Sequence, residues 1–357
     1  MKVVIVQYVD MSGIVRYKLV PPETILGVLV PGNYMNCSPL HMTITTTSRI
    51  PEFVFAHFDG RGKGHIDAST LRPAFHDSAG LSNSAMAIAE YDWMGLDARM
   101  NLRHVVDLVE QDHGLSFLVG FELEVVFLHP GTLDPIDLGD IGAGHTCRTT
   151  VWAALNEMTA ALAEGGVFVE GAFKEYGITQ FEFALQPYPP VESVDTMIYA
   201  REVIKNVAAK HGIVATTFPT PFAGDDPKHI AKNGMHIHVS ATPVREISDW
   251  DPDMAMSGIL SHIPELMAIS MPTIDSYERV GVGTMSAGGL LGWGFNNRDM
   301  PLRQVTKNHW ELRSVDGCAN SYAVVAGVIM AAIDSKPLTI RNADSKCLLS
   351  FHCWAIC

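Results

Sequence analysis

The chain has 357 residues, of which 47% are apolar and 18% charged. That is enough apolar material for a large core, which excludes a disordered chain. Its 25 Lys and Arg against 39 Asp and Glu give a formal net charge of −14; such a field repels phosphate backbones and anionic lipid, which argues against nucleic acid or a membrane as partner.

In chain order, Lys2 to Val9 and Ile14 to Val20 read as strands around the turn Asp10-Met11-Ser12-Gly13, a hairpin. The early Asp10 and the lack of a small-residue cleavage site make this start a strand and not a signal peptide. Pro21-Pro22 breaks the second strand, Pro31-Gly32-Asn33 turns the chain again, and Gly60 to Gly64 reads as a glycine-rich loop. Residues 1–94 are therefore expected to be short strands and turns. From residue 95 the pattern alternates helices and strands. Helical spacing predicts helices over Leu102 to Gln111, Val151 to Glu164, Glu192 to Lys210, Met254 to Ser270 and Ser321 to Ile333. The first three run into the stops Gly114, Gly165-Gly166 and Gly212. The longest apolar run, Tyr322 to Ile333, is too short to span a bilayer. Cys37, Cys147, Cys318, Cys347, Cys353 and Cys357 form no CxxC pair, so a reducing, cytoplasmic location is expected.

Four strand-like segments carry charge on one face. Successive strand side chains point to opposite faces. Along Phe117 to Phe127, Glu122 and Glu124 share a face while Phe121, Leu123 and Val125 take the other. Glu182 stands between Phe181 and Phe183, His236 and His238 share a face, and His309, Glu311 and Arg313 align against Trp310 and Leu312. Taken singly, each segment is most simply a solvated sheet face. Together their outward residues are Glu, His and Arg, with few of the Thr, Ser, Lys and Gln that solvated faces favour. Like carboxylates two residues apart repel unless a cation sits between them. Glu122, Glu124, Glu175, Glu182 and Glu311 with His236 and His238 make an oxygen-rich set that suits Mg²⁺ or Mn²⁺ better than zinc. Arg279, Arg298, Arg303 and Arg313 fall in one stretch near the glycines of Gly292-Trp293-Gly294, which permit close backbone approach to a ligand. Metal-holding carboxylates beside arginines that clamp phosphate are the two halves of a phosphoryl-transfer site.

The order Gly120-Phe121-Glu122-Leu123-Glu124, Glu175-Tyr176-Gly177 with Gln180-Phe181-Glu182, Gly234-Met235-His236-Ile237-His238, Trp293-Gly294 with Asn297-Arg298, and Glu311-x-Arg313 with Asp316, Ala319-Asn320 and Tyr322 resembles the glutamine synthetase family. The likeness covers about residues 5 to 333 and is nearest to the bacterial-type and γ-glutamylpolyamine synthetase-like branch. It implies an α+β fold: an N-terminal β-grasp domain over 1–94, then a catalytic domain over 95–357 with a curved antiparallel sheet, a half-barrel, flanked by helices. It also implies roles. Glu124, Glu175 and Glu182 would hold one metal; Glu122, His236 and Glu311 would hold a second. His238 would touch an ATP phosphate, Arg279 and Arg313 would grip a glutamate-like carboxylate, and Arg298 and Arg303 would face ATP and the transferred phosphoryl group. Arg298 and Glu311 would be catalytic. The implied reaction converts a carboxylate to an acyl phosphate with ATP, and an amine then displaces phosphate to give an amide. Cofactors would be two or more Mg²⁺ or Mn²⁺, with ATP as co-substrate. The partner would be further copies of the chain, in a homo-oligomer with shared active sites.

The sequence also departs from the family. Where the flap carries an acid, this chain reads Arg279-Val280-Gly281-Val282-Gly283-Thr284-Met285-Ser286-Ala287, which disfavours ammonia and favours a bulkier amine. No Asp-Gly-Ser-Ser counterpart stands around Asn36 to Arg49; Phe58-Asp59-Gly60-Arg61 is the nearest string. Lys232-Asn233-Gly234 and Pro219-Thr220-Pro221 alter family loops, and Pro337 to Cys357 lacks family character, so the chain reads as C-terminally short. Three readings stay open: a carboxylate–amine ligase, a catalytically degenerate binding or regulatory relative and, last, an unrelated metal-dependent hydrolase.

Overall fold

The computed structural model describes residues 3–30, 32–38, 40–43, 62–74, 83–92, 95–136, 149–222, 232–247, 250–280, 286 and 291–334. The flap residues Gly281 to Met285 and Ala287, the strings at 44–49 and 58–61, and the tail from Pro337 lie outside them, as do Cys147, Cys347, Cys353 and Cys357.

The N-terminal elements are β1 (Val4–Val9), β2 (Val15–Val20), α1 (Pro22–Val28), β3 (Met35–Cys37), α2 (Leu40–Thr43), β4 (Gly62–Ala74) and β5 (Ser84–Asp92). They form a five-stranded sheet in the order β2-β1-β5-β4-β3, with β1 and β5 parallel. The hairpin pairs Val4 with Val20 through Val9 with Val15, as its turn chemistry predicts. Strand parity sorts the sheet's two faces. Val4, Val6, Tyr8, Ala87, Ala89 and Tyr91 pack with Ile25, Met35 and Met42 in a small core of their own, whereas Ile5 and Met86 face the main core.

Two expectations are corrected here. Pro21-Pro22 ends β2 but also starts a helix: extended Pro21 (φ −60, ψ 147) precedes Pro22 in the first turn, where a missing N–H costs nothing. Gly62 to Gly64 of the glycine-rich run opens β4 and does not loop.

Next come α3 (Ala98–His113), β6 (Leu115–Leu128), α4 (Thr150–Glu164), β7 (Val169–Lys174), β8 (Gln180–Tyr188), α5 (Pro190–Lys210), β9 (Val214–Thr216), β10 (Met235–Pro243), α6 (Pro252–Ser261), α7 (Ile263–Ser270), α8 (Ile274–Arg279), β11 (Trp293–Phe295), β12 (Leu302–Thr306), β13 (His309–Leu312) and α9 (Ser321–Ile333). Asp97 caps α3 by accepting Met100 N–H at 2.9 Å, and Gly114 ends it at φ 66. The single helix expected over Met254 to Ser270 is two, because Pro264 supplies no N–H and its ring blocks continuation through His262.

The second sheet has eight strands in the order β11-β12-β13-β10-β6-β8-β7, with β9 also on β6. All its pairings are antiparallel except β11–β12. Phe117, Val119, Phe121, Leu123 and Phe127 of β6 enter the main core with Val194, Met197 and Ile198 of α5 and Val324, Val325 and Val328 of α9. The first sheet is tied to this body by Arg99, which is 4% exposed. Its guanidinium meets Asp195 bidentately at 2.8 and 2.6 Å, Asp67 at 2.8 Å, and Glu90, while Tyr322 Oη donates to Asp195 at 2.5 Å. No helix among the described residues is long and apolar enough to cross a membrane.

Candidate active site

The charged face of the second sheet is assembled by register. β10 sets His236 opposite Glu122, β8 sets Glu182 opposite Glu124, β13 sets Glu311 opposite His238, and β12 sets Arg303 opposite Glu311. Strand period two then turns all of these side chains to one face, opposite the core.

The contacts are short. His236 Nδ1 lies 3.1 Å from Glu122 Oε2 and 3.2 Å from Glu311 Oε1, and its Nε2 is 3.7 Å from Glu124 Oε1. His238 Nε2 is 3.0 Å from Glu122 Oε1, without the alignment of a hydrogen bond, so that buried nitrogen is left unsatisfied. Glu311 is fully buried between Arg303 (2.8 Å) and Arg313. Two sets of ligand atoms lie within 4.8 Å of one another: Glu122, Glu182 and His236, and Glu122, His238 and Glu311.

This grouping differs from the one the family resemblance implies. His238 joins a set of possible ligands, whereas Glu124 and Glu175 stand outside both sets. Glu124 has one oxygen engaged, Oε2 accepting Gln180 Nε2–H at 2.7 Å and Gly234 N–H at 2.6 Å, while its Oε1 stays on the charged face beside His236. Glu175, Arg279 and Arg313 line a cleft of about 40 Å³ with Glu124 and His236. Arg279 is 1% exposed and donates to the carbonyls of Arg313 and Val315 at 2.9 and 3.0 Å. Arg298 is exposed; its charge is felt at Glu175 without an ion pair.

Electrostatics test whether cations fit. Burial, then the charges of Glu122, Glu124, Glu175 and Glu311, push the Glu182 carboxyl up to about 9. Burial and Glu124 likewise raise Glu175. Burial opposes ionisation of Glu122, but the hydrogen bond from His236 and the closeness of the His236 and His238 imidazoles overcome it and hold that carboxyl well below its usual range. Glu311 is also held down, against burial, by His236, Arg313 and His238. A face that cannot keep all its carboxylates ionised, with an orphaned imidazole nitrogen beside two of them, fits hard divalent cations.

Sequence reasoning gave no role to four residues at this site. Gln180 and Asn233 brace Glu124 and its neighbouring loop: Gln180 Nε2 reaches Asn233 Oδ1 at 3.3 Å, and Asn233 Nδ2 donates to Thr216 and Phe218 carbonyls at 3.1 and 3.0 Å. Lys174, buried at the end of β7, donates Nζ–H to the carbonyls of Glu175 (2.7 Å) and Gly177. His309 Nε2 sits 2.8 Å from His238 Nδ1. Parity was the available signal: Gln180 shares a strand face with Glu182, and His309 with Glu311. Gly234 is required for another reason, since a Cβ there would stand 2.6 Å from His236 Nε2.

The family model "Glutamine synthetase, catalytic domain" matches residues 95–335. Protein fluG of Emericella nidulans is 28% identical over 363 residues, covering 96% of this chain and 40% of that protein. The gamma-glutamylpolyamine synthetase GlnA3 of Streptomyces coelicolor is 27% identical over 366 residues, covering 93% of this chain and 74% of that protein. The chain thus spans well under half of one relative and about three quarters of the other. The solved GmaS/ADP complex superposes with a TM-score of 0.80 at 21% identity, covering 96% of this chain and 82% of that one, a likeness of fold.

Proposed function

The chain belongs to the glutamine synthetase family, and from that premise we propose that it is an ATP-dependent ligase joining a glutamate-like carboxylate to an amine other than ammonia. The observation that carries this reading is the convergence of Glu122, Glu182, Glu311, His236 and His238 on one sheet face, with Arg303 and Arg313 against it. Bound there, Mg²⁺ or Mn²⁺ would neutralise phosphate charge and polarise the phosphoryl group. Glu122, Glu182 and His236 would hold one cation, and Glu122, His238 and Glu311 another.

The residues themselves supply position and charge. A cleft of about 550 Å³ beside His238 and Glu122, with Lys307 and His309 in its wall, is where we place the nucleotide. Arg279 and Arg313 in the smaller cleft would orient the acid substrate. Arg298 and Arg303 would steady the transferring phosphoryl group, whose passage to the carboxylate gives an acyl phosphate and makes that carbon open to amine attack. The acid-free stretch after Arg279 supports an acceptor other than ammonia, whose ammonium proton must pass to another group or to water before its nitrogen attacks. A relative named for γ-glutamylpolyamine synthesis agrees with that choice. We read the five-stranded sheet, up to residue 94, as the β-grasp domain. Its edge strand β2, with Tyr17 and Leu19 exposed, supports assembly into a homo-oligomer.

The test is a panel of amines incubated with L-glutamate, ATP and Mg²⁺, read by mass spectrometry. The reading predicts ADP and one γ-glutamyl amide in equal amounts. ATP binding with no product from any amine would favour the degenerate binding protein instead.

A further inference from the structure

At one side of the charged sheet face two imidazoles meet. His309 Nε2 lies 2.8 Å from His238 Nδ1, with the ring centroids 5.0 Å apart and the planes tilted by 57°. The fold builds this meeting. β13 pairs with β10 so that Leu312, Glu311 and Trp310 stand opposite Ile237, His238 and Val239. His309, two positions before Glu311, is therefore the diagonal neighbour of His238 on the same face. The turn that delivers it is fixed as well. Thr306 pairs with His309, Asn308 takes a left-handed φ of 63, and Asn308 Oδ1 accepts Ala241 N–H at 3.1 Å, which pins the turn to β10 beyond the end of the ladder.

A neutral imidazole carries one N–H and one lone pair, so the direction of this hydrogen bond decides what His238 Nε2 is. If His309 donated, His238 Nε2 would carry the proton. It would then be a buried donor 3.0 Å from Glu122 Oε1 but not aligned on it, an orphaned N–H. If His238 donates, its Nε2 keeps the lone pair and converges with carboxylate oxygens of Glu122 and Glu311, all within 4.8 Å of one another. Three electron-rich atoms so placed suit a cation between them. A metal-bound imidazole almost always gives its other N–H to an acceptor, and His309 Nε2 is an acceptor in the right place.

We propose that His309 is a positioning residue: it accepts His238 Nδ1–H, fixes that ring, and leaves the Nε2 lone pair for the cation shared by Glu122, His238 and Glu311. The inference deepens the ligase reading and rests on its cation sites.

Calorimetric titration of the full chain with Mn²⁺, without nucleotide, tests it. His309→Leu should weaken one of the two cations by about tenfold or more and leave the other within about threefold, because an acceptor behind one ligand is lost. His309→Gln, whose amide oxygen accepts the same N–H, should bind both within about threefold of the native chain. With Mg²⁺ bound, long-range proton–nitrogen correlation spectra of the native chain should place the His238 proton on Nδ1, and they carry the test if His309→Leu fails to fold. Unchanged Mn²⁺ affinities in His309→Leu, binding by His309→Gln as weak as by His309→Leu, or a proton on His238 Nε2 would overturn this proposal alone. Failure of the native chain to bind Mn²⁺ would overturn the cation sites and this proposal together.

Discussion

Glu182 gives the sharpest lever on the site. Its carboxyl stands at about 9 in the folded chain against an ordinary 4.5. Between those values the unfolded chain has released this proton and the metal-free folded chain has kept it. Unfolding therefore releases a proton, and the stability contributed by neutral Glu182 falls as pH rises through that window. A divalent cation reverses the preference, because a ligand must be deprotonated to bind it. Cation affinity should then rise about tenfold per pH unit between 6 and 8, about 1.4 kcal/mol each. Cation at about 100 times its Kd should stabilise the fold by about 2.7 kcal/mol. Glu182→Gln mimics the neutral acid, so it should alter metal-free stability at pH 7 by less than about 1 kcal/mol and weaken the cation by more than about 100-fold, since a ligand is lost. Calorimetry with Mn²⁺ in buffers of different ionisation enthalpy counts the protons. The native chain should release one more per cation than Glu182→Gln. Equal proton counts, or a Kd independent of pH, would refute the reasoning.

Other perturbations read the same structure. Glu311→Gln removes the buried anion between Arg303 and Arg313; it should cost about 3–5 kcal/mol in denaturant titration and abolish ATP turnover. Asp195→Asn should cost a similar 3–5 kcal/mol by uncoupling Arg99 and Tyr322, with the first sheet losing amide-exchange protection before α5. At an open helical site Gly→Ala stabilises, but a Cβ at Gly258 would stand 2.1 Å from the Ala331 carbonyl oxygen. Gly258→Ala should therefore destabilise by about 1–3 kcal/mol as α6 is pushed off α9, measured as a lowered Tm.

Much of the site was written in local alternation. Period two alone puts Glu122 with Glu124, His236 with His238, and Glu311 with His309 and Arg313 on a shared face of their own strands, and the structure turns those faces together. What alternation does not contain is register. That His236 falls opposite Glu122 and Glu182 opposite Glu124 depends on strand pairings among residues more than 50 positions apart, which no local pattern encodes. The brace on Glu124 follows from that, because Gln180 and Gly234 reach it only once β8 and β10 flank β6. The break at His262 was legible in Pro264, but the continuous apolar spacing masked it. Arg99 was illegible for a similar reason: its partners Asp67, Glu90 and Asp195 come from three separate elements.

The most direct test is diffraction from crystals of the full chain grown with Mn²⁺, recorded at the manganese absorption edge. The account predicts two anomalous peaks, one bounded by Glu122, Glu182 and His236 and one by Glu122, His238 and Glu311. A map with no peak on that sheet face, or with manganese only at surface carboxylates, would contradict it.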